Sequence, residues 1–338
     1  MSIKEIATQL DLSVSTVSRA LNDYPDISPR TKRRVLKEAA KQGYKLKGAD
    51  SAHWVQAKRI ITAVLPSQDA QYIDATLSKV LSGTRRILEE QDYILKIVVI
   101  DSGRLELSEF ERLIKTGDQD GFILLRTKVN DAKVHRLLKL DIPFVCYGRI
   151  ENNKRFAWLD LDNYAVGRMS VETLNENQRA CIGIVSVNER YFFAKERLRG
   201  IFELAAEKNL NLTKQDLIEV SFDEEENYLA CAELLIRKPT ITALICLTST
   251  AAKAAALAVM RLQTVGRKIA IIGCDTPIDE LTSSMGITSI QPAPPAQIGE
   301  KLATMMVSRI KGVAIEELQE TLTPGVVASG FSSPFKSY

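Results

Sequence analysis

Residues 13–22 read SVSTVSRALN, too polar for a core strand and too short for a domain helix standing alone. The residue types suit contact with nucleic acid. Arg19 can donate a bidentate pair to guanine, and Ser15 and Thr16 can reach bases or phosphates. Arg30, Lys32, Arg33 and Arg34 follow closely and suit phosphate contacts, which give affinity without reading sequence. Catalytic chemistry has far less to work with. The chain has two histidines, His53 and His135, and neither a G-x-x-x-x-G-K-[ST] phosphate loop nor a G-x-S-x-G elbow. The expectation is no enzyme, no metal site and no cofactor.

Three short helices would position those residues. Ser2-Ile3-Lys4-Glu5 has the capping-box form, and Ile3, Ile6, Ala7 and Leu10 recur at helical spacing up to a stop near Asp11-Leu12. Ser13 caps a second helix, with Val14 or Val17 facing inward beside Ala20 and Leu21. Ser15, Thr16, Ser18, Arg19 and Asn22 face outward. Ser28-Pro29 opens a third helix running to about Gln42, with Val35, Leu36 and Ala39 as its stripe and Gly43 at the left-handed stop. This is a helix-turn-helix arrangement, in which the second helix enters the major groove. Spacing alone also fits a small bundle whose Ser/Thr/Arg face is merely solvated.

The whole chain has 338 residues, 45% apolar and 26% charged, enough for about two domains. Its net charge of +3 is unevenly spread: residues 1–60 carry +6 and the remainder −3. A basic head on a mildly acidic body points to a polyanion partner for the head. Five scattered cysteines, an odd number without a CxxC pair, read as buried free thiols in a reducing compartment. MSIKEIATQL lacks an apolar signal core, and no run approaches the ~18 apolar residues of a membrane span. These features predict a cytoplasmic protein.

From Lys58 onward, short β-rich runs alternate with helical ones. RIITAVLP (59–66), ILKIVVID (94–101), DGFILLR (120–126) and IPFVCYGR (142–149) form a first set. ACIGIVSV, DLIEVSF, ITALICL and RKIAIIGCD form a second after WLDLDNYAVGRMSVETL. The alternation predicts βαβ units, parallel sheets and two α/β lobes, with ligands outside the carboxyl ends of the strands.

Over residues 1–44, with STVSRALN and the closing GY as its most specific marks, the chain resembles the DNA-binding head of the LacI/GalR repressor family. LDNYAVGR, KERLRGIFELAAEKNL, KIAIIGCD and SIQPAPPAQIGEKLATMM resemble that family's two-lobed, periplasmic-binding-protein-like effector domain, to about residue 325. The resemblance implies an α/β fold with an N-terminal all-α helix-turn-helix domain. It divides the chain into a head at 1–45, a hinge at 46–58 and an effector and dimerisation domain at 59–338. Lobe 1 would take about 59–161 plus 291–322, and lobe 2 about 162–290 plus 323–338. DNA contacts carried over by position are Val14, Ser15, Thr16, Ser18, Arg19 and Asn22. The hinge departs from the family pattern. His53 stands where a minor-groove leucine is expected, with Trp54 beside it; the segment reads as a modified wedge or as a plain linker.

The same resemblance places Arg197, Phe222 and Asp275 in the effector cleft, with Tyr72 and Arg149 as further candidates. Arginine donates and aspartate accepts, which suits a hydroxyl-rich ligand. Thr248-Ser249 replaces an Asn-Asp pair found in many relatives, which removes a carboxylate and widens the pocket toward an oligosaccharide or glycoside. The implied function is a sequence-specific transcriptional regulator, a repressor in most members, controlled by a small carbohydrate. Its implied partners are a pseudo-palindromic DNA operator, the effector and a second copy of the chain, with no membrane. A non-sugar metabolite or a protein partner is the alternative effector. The ending GFSSPFKSY has no leucine heptad that would argue a tetramer.

Overall fold

The computed structural model describes residues 2–22, 24–27, 29–44, 59–67, 75–101, 103–152, 155–262, 268–276, 280–291 and 293–327. The head is three helices: α1 (Ile3–Leu10), α2 (Val14–Leu21) and α3 (Pro29–Lys41). Local chemistry sets their ends. The Ser2 N–H donates to Glu5 at 3.0 Å, and Asp11 turns left-handed with φ 51° to stop α1. Ser13 accepts from the Thr16 N–H at 3.0 Å to start α2, and Gly43 is left-handed (φ 66°) beyond α3. Ile6, Ala7, Val17, Ala20, Val35 and Ala39 pack into one small core. Val17 is the inward valine of α2, whereas Val14 is 44% exposed.

The body has two sheets. The first is ordered β11-β5-β4-β3-β1-β2, all parallel, from β1 (Arg59–Ser67), β2 (Tyr93–Asp101), β3 (Gly121–Leu124), β4 (Phe144–Tyr147), β5 (Ala157–Leu161) and β11 (Gln319–Leu322). The second is ordered β12-β10-β9-β8-β6-β7. Its strands are β6 (Ile182–Ser186), β7 (Leu217–Glu219), β8 (Ala243–Cys246), β9 (Ala270–Cys274), β10 (Ile287–Gln291) and β12 (Gly325–Val327), with β12 alone antiparallel. Most strands are buried on both faces, as apolar runs such as FVCY and ALIC require.

Helices alternate with the strands. In the first lobe they are α4 (Ala75–Glu90), α5 (Glu106–Thr116) and α6 (Ala132–Lys139). In the second they are α7 (Asn163–Glu172), α8 (Phe192–Glu207), α9 (Glu224–Arg237), α10 (Ser249–Arg261) and the short α11 (Glu280–Ser284). Helix α12 (Pro295–Ile310) returns from the second sheet to pack on α4. Glycines let paired helices touch at the backbone in each lobe. A Cβ on Gly299 would lie 1.9 Å from the Val80 carbonyl oxygen, and one on Gly167 2.0 Å from that of Arg197.

The chain crosses between lobes after β5, after β10 and between β11 and β12. These crossings lie side by side, because Leu161 pairs with Leu322 and Gln291 pairs with Gly325. Farther along the sheets the lobes meet again, where Lys128 bridges Tyr191. There the Val129 N–H donates to Arg190 O (2.7 Å) and the Phe192 N–H to Thr127 O (3.1 Å). Lys195 also pairs with Glu151.

Candidate functional site

Two surfaces carry chemistry, one on the head and one between the lobes. On the head, α2 presents Val14, Ser15, Arg19 and Asn22 to solvent, with Thr16 and Ser18 partly covered. The hydroxyls of Ser13, Ser15 and Thr16 share hydrogen bonds of 2.7–2.8 Å, which makes the first turn of α2 a compact polar edge. Asn22 caps the helix by donating to Ser18 O at 2.8 Å. Arg19 pairs with Asp26 at 2.7 Å and lies 5.3 Å from the Tyr24 ring centroid. Arg34 is exposed, and its Nη2 donates to Leu10 O at 3.2 Å, tying α3 to the end of α1. His53 and Trp54 lie outside the described residues, as does Tyr72.

A cavity open to solvent lies between the lobes. The first lobe lines it with Thr76, Leu125, Arg126, Thr127, Tyr147 and Asp160, the second with Asn163, Phe193, Arg197, Phe222, Thr248 and Asp275. Nearly all of these follow the carboxyl end of a strand or open the next helix, where a doubly wound sheet leaves its backbone uncovered.

A rigid polar cluster sits in the second lobe. Arg197, 2% exposed, spreads its guanidinium over three acceptors: Asn163 Oδ1 (2.8 Å), Leu247 O (2.7 Å) and Asp275 Oδ2 (2.5 Å). Three of its five N–H groups are thereby taken by the protein, and it holds Asp275 in a fixed orientation at the cavity wall. The other carboxylate oxygen, Asp275 Oδ1, is buried without a hydrogen-bond partner. Such an acceptor is costly to leave unmade. Thr248 spends its hydroxyl as the cap of α10, accepting from the Ala251 N–H at 3.2 Å.

The first lobe supplies a different arrangement. Arg126 stacks over the Phe222 ring of the second lobe, 3.7 Å from its centroid, and Tyr191 meets the same ring edge-on. Arg126 and Asp275 both adopt left-handed backbone, with φ 51° and 54°. For arginine this costs about 1–2 kcal/mol, whereas aspartate tolerates it. Each lobe therefore holds one charged cavity residue in a left-handed turn after a strand.

Arg149 does not line the cavity. Its Nε donates to Asp160 Oδ2 at 2.8 Å, and its guanidinium lies near Trp158 and Phe192. Gly148, with φ 113°, bends the chain just before it. Asp160 lines the cavity in its place and also accepts from Asn163 Nδ2 (3.0 Å) and the Leu161 N–H (2.9 Å). Burial pushes the Asp160 carboxyl up to about 6, while the hydrogen bond and charge of Arg149 oppose the shift. Arg126, Thr127, Tyr147, Asp160, Asn163 and Phe193 escaped the sequence reading, although strand-end position alone would have pointed to most of them.

Residues 2–45 match the family described as bacterial regulatory proteins, lacI family. Residues 58–323 match periplasmic binding proteins and sugar binding domain of LacI family. The chain is 27% identical to the HTH-type transcriptional regulator RafR of Escherichia coli, over 96% of each chain. It is 28% identical to the HTH-type transcriptional regulator AglR of Rhizobium meliloti, over 81% of this chain and 78% of that protein. Among solved structures, a regulatory protein from Chloroflexus aggregans superimposes with a TM-score of 0.66 at 26% identity, covering 80% of this chain and 98% of that one. The transcriptional regulator CelR in complex with cellobiose shares the fold (TM-score 0.69, 20% identity, 98% and 100% coverage).

Proposed function

This chain belongs to the LacI family of transcriptional regulators, and from that premise we propose that it is a repressor whose operator binding is switched by a carbohydrate held between its lobes. Its relatives are regulators that bind DNA, not enzymes. The head reads DNA through α2, with Val14, Ser15, Thr16, Ser18, Arg19 and Asn22 as contacts and His53 as the hinge wedge. Val14 is apolar and exposed, so its base contact is a thymine methyl. Two copies bind a pseudo-palindromic operator in the cytoplasm, each placing one α2 in a major groove.

The effector is a hydroxyl-rich saccharide, and the observation that carries this is the oriented Asp275 carboxylate at the cavity wall, whose Oδ1 has no hydrogen-bond partner. A sugar hydroxyl donates to it, the Phe222 ring offers an apolar face, and Thr248 and Ser249 leave room for a second sugar unit. Linkage then requires effector and operator to change each other's affinity by the same factor.

Binding to the DNA upstream of the protein's own gene, at fixed salt and with a panel of mono- and oligosaccharides, tests the whole reading. One saccharide should shift operator affinity, and Asp275→Asn should lose that shift while keeping the operator. Specific DNA binding that no saccharide alters would move the effector to a non-sugar metabolite or a protein. Tight calorimetric binding of a free hexose would remove the oligosaccharide preference.

A further inference from the structure

The turn after α2 touches the helix it follows. The Tyr24 N–H donates to Arg19 O at 3.1 Å and the Ile27 N–H to Tyr24 O at 3.2 Å, so the chain folds back along α2. This return places the Arg19 guanidinium 5.3 Å from the Tyr24 ring centroid, with Asp26 Oδ2 2.7 Å from its Nη2. Arg19 and Asp26 are each about half exposed.

An exposed ion pair of this kind adds little to stability. An acid on a DNA-facing surface also works against general affinity, because phosphates repel it. Its effect is on geometry and choice. The guanidinium is a planar fork of five N–H donors; a carboxylate at one Nη leaves another edge to meet guanine O6 and N7. A phosphate, by contrast, competes with Asp26 for the guanidinium and sets a second negative charge against the first.

We propose that Asp26 is a positioning residue for Arg19, directing its donor edge to guanine and holding it back from phosphate. Asp26 thereby adds discrimination and subtracts non-specific affinity. The proposal rests on α2 being the recognition helix.

The test uses the full-length chain and a randomised duplex pool at fixed salt, comparing wild type with Arg19→Ala, Asp26→Asn and Asp26→Glu. Wild type should enrich a motif containing a G·C pair whose preference Arg19→Ala abolishes. Asp26→Asn should cut the preference at that same pair roughly tenfold. It should also raise affinity for the unselected pool about two- to fivefold. Asp26→Glu, which keeps the charge, should retain most of the preference. Wild-type preference at that pair in Asp26→Asn would overturn the proposal. So would an equal loss at every position of the motif, the mark of a merely structural role. A wild-type chain that enriches no motif, or an Arg19→Ala chain that enriches the wild-type motif, would defeat the recognition-helix assignment and the proposal with it.

Discussion

Arg19 on the head and Arg197 in the second lobe are the same side chain in opposite circumstances. Arg19 is half exposed, with one ion pair and one ring beside it; Arg197 is almost fully buried and saturates three acceptors. The first can exchange its partner for a ligand at small cost. The second is held by three hydrogen bonds, one of which fixes Asp275 at the cavity wall. An arginine carried over from a family pattern can thus be a reader or a scaffold, and its burial and partners decide which.

The sharpest way to break this contrast is to remove the scaffold. Arg197→Ala would leave Asp275, Asn163 and Leu247 O facing a vacated polar site, and breaking such a buried pair costs about 3–5 kcal/mol. Urea unfolding followed by circular dichroism should show that loss, and a loss within about 0.5 kcal/mol would place Arg197 among surface residues.

Proton linkage at Asp160 gives the next effect. Its folded-state value is raised above the unfolded one, so between about pH 4 and 6 the native protein binds more protons and stability falls as pH rises. A shift to about 6 corresponds to at most about 3 kcal/mol. The pH dependence of unfolding for wild type minus Asp160→Asn should isolate that decline. A flat difference would mean the carboxyl titrates normally.

Arg19→Ala should act on DNA alone. Losing one bidentate base contact costs about 1–3 kcal/mol of discrimination. The melting temperature should stay at the wild-type value. Competition between operator and random duplex measures the first and thermal denaturation the second; a lowered melting temperature would make Arg19 a scaffold too.

The same contrast explains what the sequence could and could not reveal. The head was legible because its signals are local: Glu5 three residues after Ser2, Ser13 before α2, and Gly43 in left-handed backbone beyond α3. Even there, the choice between Val14 and Val17 waited on packing, since both fit a helical stripe and only Val17 meets the small core. In the body, alternation located the strands, and the family pattern led to Arg197, Phe222, Thr248 and Asp275 at the cavity. It could not tell that Arg149 pairs with Asp160, because Gly148 redirects the chain and the partner is eleven residues farther on, within β5. Nor could it find Arg126 on the Phe222 ring, a contact between segments of different lobes.

The three chain crossings have a consequence for what an effector can communicate. Being adjacent, with Leu161 paired to Leu322 and Gln291 to Gly325, they act as one flexure line. Val129–Arg190 and Thr127–Phe192 join the lobes a second time, away from that line. Backbone contact between α4 and α12 and between α7 and α8 leaves little slack within either lobe. A ligand that changes the cavity should therefore change the angle between two stiff plates before it deforms either one.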